Sequence, residues 1–249
     1  MGRAVRAVIF WHMLKRLRAI AFDLDNTLWD VEPVLVRAEH RLREWLQQHC
    51  PRIPARYSIE DMRTARAGLA VEEPHQAHDL TYLRRTALER HARECGYDEA
   101  IAESALEIFL TARNELELFD DVRPAIGRLQ RHYALASLSN GNADLARIGL
   151  AHWFVLSLNA RQIGVAKPHP RCFELLARHL RVAPGEILFV GDDPRLDVEA
   201  ARAAGCFTAW VNRRAAPWPE ELAAPDLAVA SCLELTDRLE QARDAHHPG

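Results

Sequence analysis

The stretch Leu17-Arg18-Ala19-Ile20-Ala21-Phe22-Asp23-Leu24-Asp25-Asn26-Thr27-Leu28-Trp29-Asp30 decides how the rest of the chain is read. Its first half is an apolar run of the length of a buried strand, and it stops abruptly at two carboxylates one residue apart, followed by a threonine. In an extended chain Asp23 and Asp25 point to the same side. Like charges that close repel unless a cation or a shared proton compensates them. A divalent metal is the simplest remedy, and hard Mg²⁺ takes a few carboxylate oxygens together with water and substrate phosphate. The strand end has the composition that phosphoryl transfer needs.

Downstream of Asp30 the texture changes from strand to long amphipathic helices. Val34, Leu35, Ala38, Leu42, Trp45 and Leu46 fall on one helical face, and Ile101, Ala105, Phe109, Ala112 and Leu116 repeat that spacing. Thr81 to Arg93 makes a further helix ended by Gly96. No strand is expected between Val31 and Phe119, so this part reads as an all-helical insertion. From Asp121-Val122-Arg123-Pro124 onward strands and helices alternate again. Apolar runs recur at Tyr133 to Leu138, Phe154 to Leu158, Ile187 to Val190, Phe207 to Val211 and, more weakly, Leu227 to Ala230. Helices are expected between most of them, including Pro170 to Leu180 and Leu196 to Ala204. The alternation predicts an α/β fold, a doubly wound parallel sheet. Residues 1–30 and 120–249 form its core, and residues 31–119 form the inserted helical cap.

The 249 residues carry 32 Lys and Arg against 35 Asp and Glu, a net charge of -3, which leaves no cationic excess to track a nucleic-acid backbone. A small anionic substrate remains compatible, since a local site needs only one or two cations. Five cysteines, Cys50, Cys95, Cys172, Cys206 and Cys232, lack the CxxC spacing of zinc or redox sites and read as reduced and structural, hence cytoplasmic. The apolar segment Ala4 to Leu14 makes a poor signal peptide or membrane span, because Arg6 and His12 interrupt it and a core strand follows at once. Met13 is an alternative natural start. Arg213 to Pro225 reads as a surface connection and Asp244 to Gly249 as a frayed tail.

In open parallel sheets ligands bind at the carboxyl ends of the strands, and the polar clusters of this chain fall there. One strand stops at Ser139-Asn140-Gly141-Asn142, another at Gly191-Asp192-Asp193-Pro194-Arg195-Leu196-Asp197, and between them lies Ala166-Lys167-Pro168-His169-Pro170. Together with Asp23-Leu24-Asp25-Asn26-Thr27 these clusters resemble, in order and spacing, the four motifs of haloacid-dehalogenase-like hydrolases. The match is to the subclass with a helical cap inserted after the first strand of a Rossmann-like core, and it spans Leu17 to Val229.

The resemblance implies a division of labour by position. Asp23 would be the nucleophile that attacks phosphorus to form an aspartyl-phosphate. Asp25 would protonate the leaving oxygen and then activate water. Asp23, the backbone carbonyl of Asp25, and Asp192 would hold Mg²⁺. Ser139, within Ser139-Asn140-Gly141 and with backbone N–H groups near it and near Asn26, would grip the phosphoryl oxygens, with Thr27 orienting the loop. Lys167 would supply fixed positive charge to an anionic transition state. Asp193 fits either a helix N-cap or a place beside the metal, and Asp197 is expected to order a metal-bound water rather than touch the ion.

In the cap, Pro74 to Arg85 concentrates polar and cationic groups, and Arg84 is the candidate substrate contact. Trp29 reads as core or hinge packing rather than a substrate clamp. Dehalogenases of this family do not keep an aspartate at the place of Asp25, so the resemblance favours hydrolysis of a small phosphorylated metabolite. The Ser139-Asn140-Gly141-Asn142-Ala143 and Gly191-Asp192-Asp193-Pro194 clusters, with His78-Asp79, look like the branch acting on flavin mononucleotide and the ribitylamino-uracil phosphate precursor of riboflavin. A sugar phosphomutase and a non-catalytic phosphate-binding module are the alternatives. No membrane partner is expected, and the sequence leaves oligomeric state open.

Overall fold

A computed structural model describes residues 13–244. Residues 4–12 of the apolar N-terminal segment and the tail 245–249 lie outside the described residues. Among the described residues six strands form one sheet in the order β3-β2-β1-β4-β5-β6, every neighbouring pair parallel. They are β1 (Ala19–Phe22), β2 (Ala134–Ser139), β3 (Leu156–Asn159), β4 (Ile187–Gly191), β5 (Phe207–Val211) and β6 (Leu227–Val229). The expected doubly wound α/β class is the observed one. Ala19, Ala21, Ile187 and Phe189 turn to one face, where Phe173, Leu176 and Ala201 cover them. Their alternates Ile20, Phe22, Leu188 and Val190 are also fully buried, so both faces of the central strands are covered, which is why these strands read as unbroken apolar runs.

The chain divides into two compact units. The first takes the residues through Trp29, Leu118–Asn140 and everything from Leu150 on; it contains the sheet. The second is Asp30–Glu117 with Gly141–Gly149. Its helices are Val31–His49, Arg52–Arg56, Ile59–Glu72, Leu80–Glu94 and Ile101–Arg113, with the short Leu145–Ile148. Asp30 caps the first by accepting the Glu32 N–H, and Asp79 caps the fourth by accepting from Thr81 and Tyr82. Leu42, Leu46, Leu88, Ala105 and Phe109 interlock as the core of this unit, at the spacing of one face per helix. The helix that begins at Ile101 ends at Arg113 rather than running on to Leu116, because Asn114 turns back and both its side-chain amide and its backbone N–H donate to Leu110 O. No described helix is long and apolar enough to cross a membrane, and all five cysteines are free and buried.

In the sheet unit, the segment after β4 departs from an ordinary helix. Asp193 accepts the N–H groups of Arg195 and Leu196, Pro194 follows it, and Asp193 O receives the N–H of both Asp197 and Val198. The result is a π-helical turn, Pro194–Glu199, before the regular Ala200–Ala203. Such a turn widens the helix at one point and re-aims a side chain. Here that side chain is Asp197, which folds back over Gly191 at the end of β4.

Two connections of the sheet unit are tied by Arg213, just past β5. Its guanidinium donates to Thr27 O at 2.8 and 3.0 Å and to the Asp121 carboxylate at 2.8 and 3.2 Å, and it lies over the Phe119 ring at 3.9 Å. Asp121 also accepts the Cys232 N–H at 2.7 Å. Burial opposes the charge of Asp121, but Arg213 and these N–H groups outweigh it and hold its carboxyl below the usual range.

Candidate active site

β1 and β4 are neighbours, and the chain passes to opposite sides of them, so the ends of these two strands flank the topological switch point where such sheets place ligands. Asp23 follows β1 directly and its N–H donates to Val190 O at 2.8 Å, which fixes it beside the end of β4. Asp192 follows β4, and its carbonyl receives the Trp210 indole N–H from β5 at 2.8 Å. Ser139 closes β2 and is buried.

Lys167 is the centre of charge. Its Nζ donates to Asp23 Oδ1 and to Asp197 Oδ1, each at 2.6 Å, with all three side chains almost fully buried. The preceding loop delivers it there through a reciprocal amide clamp: Asn140 accepts the Lys167 N–H at 2.7 Å and donates to Lys167 O at 3.0 Å. Asn140, expected among the phosphate-gripping groups, thus spends its side chain on aiming the lysine. The Thr27 hydroxyl, wholly buried, lies 3.4 Å from Asp23 Oδ2 and 3.3 Å from Asp192 Oδ1 and bridges the two carboxylates. The loop that carries it passes through Asn26 at a positive φ of 62°, which asparagine tolerates better than most residues.

One oxygen from each of Asp23, Asp192 and Asp197 lies within 4.8 Å of the others. Three carboxylates against one ammonium leave two negative charges in a buried place. Burial pushes Asp23 well above its usual range, with Lys167 opposing and Asp197 and Asp192 adding to the rise. Asp192 is pushed up to about 7, by burial first and then by Asp197. Burial would also strip the charge from Lys167, but Asp197 and Asp23 outweigh it and hold the ammonium above the ordinary lysine value. One ammonium does not balance three buried carboxylates, and the deficit of two charges and the all-oxygen donor set fit a hard divalent cation.

The remaining expected residues fall in several places. Asp197, expected beside a metal-bound water, is an ion-pair partner of Lys167 and a member of the carboxylate group. Asp193 is the N-cap, and it also donates its N–H to Asp197 Oδ2 at 3.0 Å, which holds Asp197 in place. Asp25 is partly exposed on the same loop as Asp23, and its Oδ1 accepts the Trp29 indole N–H at 2.8 Å. Gly141 clusters with the helical unit. Arg84 lies in the interior of that unit, 8% exposed, with its guanidinium 3.3 Å from the Phe109 ring centre. Burial first, then Arg66, lowers its pKa well below the ordinary value. Its Nη1 is buried without a hydrogen-bond partner among the described residues.

Gly191, the residue before Asp192, carries no chemistry of its own, yet its lack of a side chain is what admits Asp197. A Cβ there would sit 2.3 Å from Asp197 Cγ and Oδ2. Gly191→Ala is therefore expected to push Asp197 off Lys167 and lower kcat about 100-fold, the scale of a 1 Å misplacement. Steady-state kinetics alongside a thermal melt checks this, and unchanged kcat in the folded variant contradicts it.

A protein-family profile described as haloacid dehalogenase-like hydrolase matches residues 17–205. The 5-amino-6-(5-phospho-D-ribitylamino)uracil phosphatase of Escherichia coli is 31% identical over 207 residues, 82% of this chain and 87% of that protein. A phosphoserine phosphatase of Thermus thermophilus is 38% identical over 148 residues, 57% of this chain and 59% of its own length. Among solved structures, a 2-haloacid dehalogenase from Pseudomonas syringae matches with a TM-score of 0.85 at 33% identity, covering 90% of this chain and 99% of that one.

Proposed function

The chain belongs to the haloacid dehalogenase-like hydrolase family, and from that premise we propose that it is a Mg²⁺-dependent phosphatase acting on a small phosphomonoester. The observation that carries this is the buried group of Asp23, Asp192 and Asp197 around Lys167, short of two positive charges. Asp23, Asp192 and the backbone carbonyl of Asp25 would hold the ion, which when bound neutralises charge on the phosphoryl group and on the carboxylates.

The residues then divide the chemistry. An Asp23 oxygen attacks phosphorus while the bond from phosphorus to the leaving oxygen breaks, and Asp25 gives its proton to that oxygen. Asp25, now a carboxylate, takes a proton from a water whose oxygen attacks the same phosphorus. The Asp23–phosphorus bond breaks, inorganic phosphate leaves, and both side chains return to their starting states. Lys167 carries no proton in this scheme. Its ammonium keeps Asp23 ionised for attack and offsets negative charge at the transferring group.

The structural relative named as a dehalogenase makes a second reading concrete. A departing halide needs no proton, however, and Asp25 with its indole donor is then without a task. The expected outcome is Mg²⁺-dependent hydrolysis of p-nitrophenyl phosphate, lost on chelation and restored by Mg²⁺, with no halide released from 2-haloacids. Halide release without phosphate release would sink the phosphatase reading. Within phosphate esters, the relative from Escherichia coli and the resemblance of the strand-end clusters support a flavin or ribitylamino-uracil phosphate as substrate. A metabolite-phosphate panel ranked by kcat/KM tests that choice, and a flat ranking or a preference for sugar phosphates overturns it.

A further inference from the structure

Trp29 has no exposed surface, so its large ring belongs by burial to the core of the sheet unit. Its polar atom does not. The turn after β1 closes on itself: Thr27 and Leu28 donate to Leu24 O at 3.2 and 2.8 Å, and Asn26 donates to Trp29 O at 2.7 Å. Asp25 and Trp29 thereby become bridge partners, their side chains adjacent, and the indole N–H reaches Asp25 Oδ1 at 2.8 Å. Leu28 O is pinned in turn by the Phe119 N–H at 3.0 Å, and Thr27 O by Arg213. A rigid ring on a rigid turn therefore presents one N–H to a partly exposed carboxylate.

We propose that Trp29 is a positioning residue for the proton transfers of Asp25, an inference that rests on the acid–base role given to Asp25 above. A carboxylate two bonds from its backbone has freedom about both side-chain torsions, and catalysis needs one oxygen turned to the leaving group. A donor fixed on Oδ1 restricts that freedom and holds the carboxyl group in one orientation. Indole suits the task because its nitrogen donates only. It cannot accept the proton that Asp25 must deliver, as a histidine in its place would, nor swap donor for acceptor between the two half-reactions, as a hydroxyl would. Buried indoles ordinarily satisfy their N–H on whatever acceptor is near. Here the acceptor is the carboxylate one turn away whose orientation the reaction depends on, while Thr27 and Lys167 serve the other carboxylates.

Trp29→Phe keeps an aromatic ring and removes the donor. Measured as kcat/KM over esters whose leaving groups run from p-nitrophenol to simple alcohols, its loss is expected to be about 10- to 100-fold for alkyl phosphates, a part of what general-acid catalysis supplies. For p-nitrophenyl phosphate, whose leaving group departs without a proton, it is expected to be a few-fold at most. A packing role predicts the same loss for every ester, and a uniform loss or no loss overturns the proposal. Should Trp29→Phe fold poorly, the benzothienylalanine analogue, isosteric with tryptophan but without the N–H, carries the same two outcomes. Asp25→Asn separates the layers of the argument. If it shows no dependence on leaving group, the role of Asp25 itself falls; if it does and the Trp29 variants do not, only the inference about Trp29 falls.

Discussion

Asp23→Asn is expected to abolish turnover, by about 10⁴-fold or more, the scale on which removing a nucleophile costs an enzyme, while leaving the fold intact. The two side chains have the same shape, so the amide oxygen can take the place of Oδ1 against Lys167 Nζ at 2.6 Å, and the amide nitrogen can face the Thr27 hydroxyl. What disappears is the negative charge that attacks phosphorus. Stability should be unchanged or slightly higher in metal-free protein, because Asp23 is held against burial and against the charges of Asp197 and Asp192. Lys167 keeps a full partner in Asp197. Phosphate release and a thermal melt on the same sample check both halves. A further readout is covalent: wild-type protein quenched in acid during turnover should retain phosphate on the chain, and the variant none. Turnover near wild type in Asp23→Asn refutes the assignment of the nucleophile.

Much of this site was legible before any coordinates, because its components are local signals. Asp23 and Asp25 announce themselves at the end of an apolar run, and Asp193-Pro194 carries a cap signal that is one of its two readings. The sheet is legible for the same reason: strands buried on both faces are continuous apolar runs, and those at β4 and β5 began at Ile187 and Phe207 as expected. What the sequence left hidden shares a cause as well. Asn140, Asp197 and Gly191 act on partners 27, 30 and 6 residues away, through contacts that exist only once β2, β4 and the π turn are in place. No spacing rule reports that an asparagine amide faces the backbone of Lys167. Arg84 shows the opposite case. A cationic side chain in a polar-rich stretch suggests a surface that meets substrate, but it lies one turn from Ala87 and Leu88 on the buried face of its helix, and Phe109 across from it is flat enough to receive a guanidinium.

Trp29 falls between these cases. It sits four residues from Asp25, within reach of any local rule, and its ring is buried, in keeping with the expected core or hinge packing. The indole N–H became informative only when the turn was seen to close through Leu24 O and Trp29 O. Large buried aromatics with one polar atom carry two kinds of information, and hydropathy reads only the first.

Lys167→Met is expected to lower kcat by about 10²- to 10³-fold, as the loss of a preorganised charge in a water-excluded site does, and at the same time to tighten Mg²⁺ binding. The second effect follows from the charge count. With the ammonium present, three buried carboxylates leave a deficit of two charges; without it the deficit is three, and the cation that satisfies it is held more strongly. In metal-free protein the variant leaves Asp23 and Asp197 buried and unpaired, which costs about 3–5 kcal/mol when one partner of a buried pair is removed. Saturating Mg²⁺ should return part of that stability, since a ligand bound only by the folded state stabilises it in proportion to its affinity. The measurements are a thermal melt with and without Mg²⁺, calorimetric titration of the ion, and kcat at saturating metal. The combination expected is a larger Mg²⁺-dependent rise in Tm than in wild type together with a lower kcat. Methionine matches the lysine stem, so packing against Phe189, whose ring lies 5.2 Å from Nζ, is conserved and the change is one of charge. If the variant binds Mg²⁺ more weakly than wild type, the three carboxylates do not share the ion's field, and Lys167 serves the fold rather than the phosphoryl group.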